Sequence, residues 1–290
     1  MPRIVRRLKT SDRDDVMEIS RLVWEGHDYL SSVADEWLRD PNSHFYGVEV
    51  EGRVVAVGNL HLMEDHRTGW MEGLRVHPEF RGRGFANDIT RGLVGKAGQL
   101  GVQRLRYTTS TGNKASLKLA RMAGFSRVLR MAVCWQRGLE PIPAVAESYP
   151  IRRRSPQRTC SLLKANPRLV PHGILVYDWK ALDCNCRNLA EIGNSHTFCG
   201  ALKSGRLDSL SFGHLRGQGQ DGSWSFTVYA ADPRGFLSQL SHNVAAALKQ
   251  GVSSIAFIYE TRFEKTLDEV NLGSEERRGT TLVLLEKRMR

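Results

Sequence analysis

The order of strands and helices expected from the first 137 residues indicates an α/β fold built on a mixed sheet. Several short segments alternate apolar and polar residues, which is the pattern of half-buried strands. Two of them are joined by the tight turn Glu51-Gly52, so the sheet begins with antiparallel hairpins. Later strands alternate with helices, an order that produces parallel crossovers. A sheet with both kinds of connection is mixed.

The expected elements follow the order β-α-α-β-β-β-α-β-α-β. The first strand is Ile4 to Leu8, and the next helix begins in TSDRDD, where capping and acidic residues cluster. A second helix, SVADEWLRD, stops before Pro41, and HFYGVEV pairs with RVVAVGNLHL as the hairpin. The strand GWMEGLRV leads to a helix from Phe85 to about Leu100, which Gly101 closes. VQRLRYTTS, NKASLKLARMA and SRVLRMAVCW then predict strand, helix and strand.

Composition changes after residue 137. Segment 138–172 holds six of the ten prolines and the run Arg152-Arg153-Arg154, so we expect a linker or a long irregular excursion. GILVYDW then finishes the first sheet or begins a second one. Residues 173–290 repeat the order of the first domain, with a helix, strands, a long helix, a strand, a short helix and a last strand. The sequence therefore predicts a domain at 1–137, a linker at 138–172 and a smaller α/β domain at 173–290.

Composition limits the classes of protein to consider. The 290 residues are 41% hydrophobic and 25% charged, as in soluble globular proteins, and no apolar run approaches the length of a membrane helix. The N-terminus lacks the pattern of a secretory leader, and five cysteines form no dense framework, so we expect reduced thiols in the cytoplasm. The net charge of +11 favours an anionic partner, which could be a nucleic acid or a phosphorylated cofactor.

Cysteine and histidine residues near position 190 offer a possible set of metal ligands. They are Cys184, Cys186, His196 and Cys199. Structural zinc sites usually have two to four residues between paired cysteines, and here there is one. We therefore predict no metal site.

The stretch RGRGFA, Arg81 to Ala86, lies between a strand and a helix. A helix N-terminus exposes unpaired amides and carries a partial positive charge. Gly82 and Gly84 let an anion approach the main chain, and Arg81 and Arg83 add full charges. This combination predicts a pyrophosphate-binding turn, although a simple tight turn would also use glycines.

Other phosphate motifs fit the sequence less well. No Lys-Ser or Lys-Thr pair follows the glycines as in a Walker loop, and Asn87 replaces the third glycine of the dinucleotide fingerprint. RGQGQDG, residues 216–222, satisfies GxGxxG by letter. It lies between two strand patterns, so we predict a hairpin loop there without a phosphate. No second phosphate-binding turn is recognisable in 173–290, and we expect no cofactor in that domain.

RGRGFA resembles the Arg/Gln-x-x-Gly-x-Gly/Ala signature of the GNAT superfamily of N-acetyltransferases. The preceding LRVHPEF resembles the strand that leads to this signature, and NKASLKLARMAGF resembles the family's following helix. The resemblance implies a sheet that parts between its fourth and fifth strands and binds acetyl-coenzyme A in the gap. Together with the repeated order of elements in 173–290, this leads us to expect that the C-terminal domain is a degenerate GNAT-like domain.

The resemblance assigns the cofactor-binding residues. The main chain from Arg81 to Ala86, which includes Phe85, would hold the pyrophosphate. Leu74, Arg75 and Val76 would pair with the pantetheine arm, and Asn113 would lie near it.

Acetyl transfer to an amine also needs a base and a proton donor. Glu72 is the candidate base, on a strand where period two places it on the face of Leu74 and Val76. A surface or core ion pair is an equally good explanation of this glutamate. Ala120 stands where many family members have a proton-donating tyrosine, so Ser116 or a water is the remaining candidate.

Acceptor selection in this fold depends on the loop between the first two helices. The segments WEGHDYLSSVADEWLRDPN and MEGLRVHPEFRGRG are similar to the histidine N-acetyltransferase-like group. This implies that His27, Asp28 and Tyr29 line the acceptor pocket and that Asp28 meets an ammonium group. We expect a small-molecule amine as partner, without membrane or nucleic acid, and leave a homodimer open. The alternatives are a protein N-terminal or lysine acetyltransferase and a non-catalytic nucleic-acid-binding protein.

Overall fold

The structure, a computed structural model, describes residues 3–23, 26, 28–63, 66–142, 149–217 and 222–289. Its contacts divide the chain into two compact units. Unit 1 comprises Met1–Tyr107, Lys114–Arg127 and Leu285–Arg290, and unit 2 comprises Thr108–Asn113 and Val128–Leu284. The units interleave along the chain, in contrast to the three consecutive segments expected from the sequence. Among the described residues, none of the helices combines the length and the hydropathy of a membrane-spanning segment.

Unit 1 has the mixed sheet that the sequence predicts. Its strands lie in the order β1-β2-β3-β4-β5, with antiparallel pairs up to β4 and a parallel pair between β4 and β5. The elements are β1 Ile4–Arg7, α1 Arg13–Arg21, α2 Leu30–Arg39, β2 Ser43–Val50, β3 Arg53–Met63, β4 Thr68–Val76, α3 Phe85–Gln99, β5 Arg104–Ser110 and α4 Lys114–Met122.

Two apolar clusters cover the two faces of this sheet. On one face α1 and α2 pack with Trp37, Phe45 and Val57. On the other face α3 packs through Ile89 and Leu93. The central strand β3 is buried from Val54 to Leu60, because helices cover both of its sides. Each buried side chain of this size contributes about 1.5–3 kcal/mol to folding.

The strands of unit 2 also pair in both directions, in the order β14-β6-β13-β12-β11-β10-β7. The strands β12 and β13 are parallel, whereas β6 with β13 and the successive pairs from β12 to β7 are antiparallel. The elements are β6 Ser126–Gln136, β7 Ile151–Arg154, α5 Pro156–Ala165, β8 Ile174–Tyr177, β9 Lys180–Asp183, α6 Cys186–Ile192, β10 Thr197–Lys203, β11 Arg206–Arg216, β12 Ser223–Ala230, α7 Pro233–Lys249, β13 Ile255–Glu260, α8 Glu264–Asp268 and β14 Arg278–Arg288. The helix α7 packs on β12 and β13 through Phe236, Leu240 and Val244.

Two segments of unit 2 differ from the sequence-based expectation. The irregular chain expected at 138–172 contains the strand β7, which pairs with β10, and the capped helix α5. GILVYDW belongs to a separate two-stranded sheet, because a turn at Asp178-Trp179 folds it into the hairpin β8-β9. The antiparallel pairing of β11 and β12 confirms the hairpin expected around RGQGQDG, whose residues 218–221 lie outside the described residues.

The expectation of five reduced cysteines is wrong for one pair. Cys160 on α5 and Cys186 on α6 form a disulfide, with 5.2 Å between their Cα atoms. The two helices pack side by side, a neighbourhood that a separation of 26 residues does not reveal. Burial raises the pKa of the Cys134 thiol to about 12 and that of Cys184 to about 11, so these remain protonated.

Candidate functional site

A glycine turn connects β4 to α3 in unit 1. After the short 3-10 helix Pro78–Phe80, Gly82 and Gly84 take φ values of 76° and 90°, which residues with a Cβ rarely adopt. Gly84 is the N-cap of α3, and no described side chain caps the helix. A Cβ built on Gly82 would meet no described heavy atom within 4 Å, so the main chain there borders open space.

Five consecutive amides in this turn lack an acceptor among the described residues. The Arg81 amide donates to the Pro78 carbonyl, and those of Asn87 and Asp88 donate to the Gly84 carbonyl. Within the described chain, the amides from Gly82 to Ala86 make no hydrogen bond. These donors lie at the positive end of a 15-residue helix dipole, which is the arrangement that binds phosphate groups.

The charges around the turn favour an anion. Asp88, in the first turn of α3, pairs with Arg3 at 3.0 Å and with Arg91 at 2.6 Å, so its negative charge is balanced. Arg81 and Arg83 are exposed beside the amides, and the Arg83 guanidinium lies 5.3 Å from the centre of the Phe80 ring. The net field at the turn is therefore positive.

The strands β4 and β5 separate next to this turn. Their parallel ladder consists of three pairs, from Thr68 with Arg104 to Trp70 with Arg106, and stops there. Beyond Trp70 the main chain of β4 pairs with β3 and with no other described strand. The expected gap between the fourth and fifth strands is confirmed, and Leu74, Arg75 and Val76 border it.

A β-bulge in β4 decides which way its side chains point. Arg75 lies opposite Val57 and Glu72 lies opposite Asn59, so β4 uses one residue more than β3 over this interval. Gly73 adopts a φ of 66° within the bulge. Leu74 and Val76 consequently pack against the α3 cluster, whereas Glu72 and Arg75 point to the face of α1 and α2. The expectation that Glu72 shares a face with Leu74 and Val76 is wrong, because a strict period of two ignores the extra residue.

Three of the expected site residues meet on that face. Asp28 is 4% exposed and accepts two hydrogen bonds from Arg75, at 2.8 Å and 2.9 Å. The Arg75 guanidinium also lies 5.3 Å from the centre of the Tyr29 ring. The Asp28 carboxylate thus forms an ion pair with Arg75. His27 lies outside the described residues.

Tyr29 lies within electrostatic range of Glu72. The residue is 44% exposed, yet loss of hydration around its hydroxyl raises the pKa of Tyr29, with the Glu72 charge as a further cause in the same direction. The phenol is therefore protonated at neutral pH and near a carboxylate. Trp37 packs edge-on against Tyr29 at 6.3 Å and supports the ring from the core.

Near α4 the structure adds a residue that the sequence reasoning missed. The Tyr107 hydroxyl donates to the Ser116 carbonyl at 3.3 Å, and its ring packs against Phe125 at 5.2 Å. Burial raises the pKa of Tyr107, so the phenol keeps its proton. The sequence does place Tyr107 on β5, the strand that parts from β4, and this position could have identified it as a candidate site residue. Ala120 is 2% exposed and packs in the apolar core.

Asn113 and Ser116 flank the start of α4. The Asn113 amide donates to the Ser110 carbonyl at 3.0 Å, which fixes the turn before the helix. A pocket of about 250 Å³ lies further along α4. Its lining consists of Leu117, Ala120, Arg121, Phe125, Arg127 and Leu285. Neither Asn113 nor Ser116 is among the lining residues of this pocket. The roles expected for these two residues therefore stay predictions.

Comparison with known proteins agrees with this geometry. Residues 13–125 match the sequence model of the Acetyltransferase (GNAT) family, and this part of the chain is a GNAT acetyltransferase domain. Over 80 residues the chain is 35% identical to the histidine N-acetyltransferase of Oreochromis niloticus and 32% identical to that of Scomber australasicus. In both cases the match covers 28% of this chain and 24% of the relative. The chain thus spans about a quarter of the length of these curated relatives.

Solved structures extend the likeness of fold to the whole chain. The GCN5-related N-acetyltransferase from Sphaerobacter thermophilus aligns with a TM-score of 0.65 and 15% identity, over 99% of this chain and 95% of that chain. The GCN5-related N-acetyltransferase from Kribbella flavida gives a TM-score of 0.54 and 14% identity, over 98% and 70%. At these identities the comparison shows a shared fold.

Proposed function

We propose that this protein transfers the acetyl group of acetyl-coenzyme A to the amine of a small molecule, such as an amino acid. The observation that carries the proposal is the row of amides from Gly82 to Ala86, unpaired within the described chain, at the start of α3 and beside the parted strands. The GNAT match at 13–125 and the names of the relatives support acetyl transfer to an amine.

The residues at the turn fit coenzyme A. The amides from Gly82 to Ala86 would hold its diphosphate, with Arg81 and Arg83 adding charge. The stretch of β4 from Leu74 to Val76, which borders the gap, would bind the amide groups of the pantetheine arm by main-chain hydrogen bonds. The bound donor supplies an activated thioester, and main-chain amides in the gap would polarise its carbonyl group.

On the acceptor side, Glu72 is the proposed base. An ammonium group must lose a proton before its nitrogen can attack a carbonyl carbon, and Glu72 would take it directly or through a water. The protonated Tyr29 phenol beside it can donate a hydrogen bond to an acceptor's polar group. Asp28 was expected to meet an ammonium group, but its carboxylate accepts hydrogen bonds from Arg75. Its proposed role is therefore indirect: it orients Arg75, and the Arg75 guanidinium would bind a carboxylate of the acceptor.

The departing thiolate needs a proton or a strong hydrogen bond. Tyr107 is a second candidate beside Ser116, since its raised pKa keeps the phenol protonated and it lies on the strand that borders the gap. A thiolate leaves readily by itself, so loss of this donor would slow the reaction less than loss of the base.

The test is release of free thiol from acetyl-coenzyme A with a panel of amino acids, polyamines and peptides. We expect turnover with at least one small amine and none with peptides. Turnover with peptides alone would favour a protein acetyltransferase. If coenzyme A bound without turnover on any amine, while nucleic acid bound with a steep salt dependence, the non-catalytic alternative would replace the proposal.

A further inference from the structure

Unit 2 contains a polar cluster that the proposed acetyl transfer does not use. It consists of Asp178, His196 and His214, and one ligand atom from each lies within 4.8 Å of the other two. The Asp178 Oδ2 atom lies 3.5 Å from the His196 Nε2 atom and 3.6 Å from the His214 Nε2 atom. One carboxylate oxygen therefore faces two imidazole nitrogens.

Three separate segments bring these side chains together. Asp178 occupies the tip of the β8-β9 hairpin, where it adopts a φ of 41°. His196 precedes β10 by one residue, and His214 lies on the neighbouring strand β11, whose Gly213 pairs with Thr197. The two imidazole rings consequently lie 4.2 Å apart, centre to centre. This convergence depends on the antiparallel register and on the hairpin turn.

The separations match metal coordination better than hydrogen bonding. An N–H···O bond usually spans about 2.7–3.2 Å, which is shorter than both distances. Zinc binds imidazole nitrogen and carboxylate oxygen at about 2.0–2.2 Å, so two ligands of a tetrahedral ion lie about 3.4 Å apart. An octahedral ion with the same bond lengths would need about 3.0 Å between adjacent ligands. The observed 3.5 Å and 3.6 Å favour the tetrahedral arrangement.

Neighbouring hydroxyl groups orient two of the ligands. Ser225 Oγ donates to Asp178 Oδ1 at 2.9 Å, which leaves Oδ2 for the two histidines. Ser195 Oγ lies 2.8 Å from His196 Nδ1, so that nitrogen can keep its proton and direct the Nε2 lone pair at the cluster. Second contacts of this kind are typical of metal-binding histidines.

The two histidine side chains are largely buried, and Arg216 beside the cluster is exposed to solvent. The His196 side chain is 6% exposed and that of His214 is 20% exposed, and aromatic rings of Tyr177 and Phe212 pack against His196. Arg216, which is 54% exposed, lies 3.7 Å from the Asp178 Oδ1 atom on the outside. A divalent ion would balance the carboxylate and use both imidazoles.

We propose that Asp178, His196 and His214 bind one Zn²⁺ ion, with the fourth coordination position open to water or a small ligand. Two imidazoles and one carboxylate are a donor set that suits zinc. The ion would fasten the β8-β9 hairpin to β10 and β11. The cysteine set considered from the sequence does not form, because Cys186 is in the disulfide and His196 faces Asp178.

The experiment uses the full chain without a histidine tag, stripped with chelator and titrated with ZnCl₂. We expect about one zinc per chain by elemental analysis, and intense visible absorption of the tetrahedral type after substitution with Co²⁺. Asp178→Asn and His214→Gln should weaken zinc binding at least about tenfold, since each removes one ligand. His242→Gln on α7 is the matched histidine control and should leave zinc binding unchanged.

Two further variants separate loss of a ligand from loss of folding. His214→Glu keeps a ligand atom and should restore much of the affinity, and zinc should raise the melting temperature of the wild type but not of His214→Gln. The proposal is overturned if the stripped wild type binds no zinc. It is equally overturned if binding survives in Asp178→Asn and His214→Gln but disappears in Cys184→Ser.

Discussion

The two units contain the same local arrangement, a strand followed by a long helix and a parallel strand, with opposite properties at the helix N-terminus. In unit 1 the elements are β4, α3 and β5, and in unit 2 they are β12, α7 and β13. The helices are of similar length, 15 and 17 residues, so their dipoles are comparable. The difference lies in the residues that precede each helix.

The helix α7 is capped by its own chain. The Asp232 side chain accepts a hydrogen bond from the Gly235 amide at 2.7 Å, and Pro233 has no amide hydrogen to offer. At α3 a glycine occupies the N-cap, and no described side chain replaces the missing acceptor. Among the described residues, the Gly235 amide at the start of α7 therefore has an acceptor, whereas the amides from Gly82 to Ala86 at the start of α3 have none.

The two units also differ in how far the parallel strands on either side of the long helix remain paired. The ladder between β12 and β13 has five residue pairs, from Trp224 with Ile255 to Val228 with Tyr259. That between β4 and β5 ends after three. The register of β12 with β11 is also continuous, whereas β4 carries the bulge at Gly73. Unit 2 thus retains the fold, whereas unit 1 has both the gap and the open amides.

The largest expected effect concerns Glu72, the proposed base, on the strand that carries the bulge. Glu72→Gln should lower kcat/KM about hundredfold near neutral pH, as loss of a general base does. The deficit should shrink as the pH rises, because a larger fraction of the acceptor amine is then already unprotonated. Glu36→Gln, an exposed glutamate of α2, is the control. Equal rates for Glu72→Gln and wild type across the pH range would remove Glu72 as the base.

Gly84→Asp would give α3 the cap that α7 has. We expect calorimetry to show at least tenfold weaker binding of coenzyme A, a loss of about 1.4 kcal/mol in binding free energy. The new carboxylate would occupy the space of the diphosphate and repel its negative charge. Gly101→Asp is the control, since Gly101 follows the same helix and has a φ of 69°. A Cβ at Gly101 would meet no described atom within 4 Å, whereas one at Gly84 would lie 3.5 Å from Arg3 Nη1. Gly84→Asn separates charge from bulk. Unchanged affinity in Gly84→Asp would exclude the turn as the phosphate site.

Gly73→Ala tests the bulge that distinguishes β4 from β12. The new Cβ would lie 2.6 Å from two ring carbons of Trp37, at a φ of 66°. We expect a loss of about 1–3 kcal/mol in unfolding free energy, as for an overpacked core. Gly95→Ala, inside α3 and facing open space, should instead stabilise by about 0.5–1 kcal/mol. Wild-type stability in Gly73→Ala would contradict the bulge geometry.

The smallest effect is expected at the cap of α7. Asp232→Ala should destabilise unit 2 by about 1 kcal/mol in thermal unfolding, because the Gly235 amide loses its acceptor. Asp232→Asn retains an acceptor oxygen and should lose less. Coenzyme A affinity should be the same in both variants. Binding of a second coenzyme A to Asp232→Ala would show that the cap alone separates the two helices.

Features that depend on local chemistry could be predicted from the sequence. The order of strands and helices follows from short-range periodicity and turn residues, and the glycine turn at 81–86 follows from backbone freedom at one helix start. None of these depends on a distant partner.

Features that depend on contacts between distant residues could not be predicted from the sequence and became visible only in the folded chain. The face that Glu72 occupies depends on one additional residue relative to β3, and the charge of Asp28 is committed to Arg75, 47 residues away. The Cys160–Cys186 bridge and the cluster around Asp178 depend likewise on which helices and strands become neighbours. Periodicity describes one strand at a time, and pairing between strands fixes where its side chains meet others.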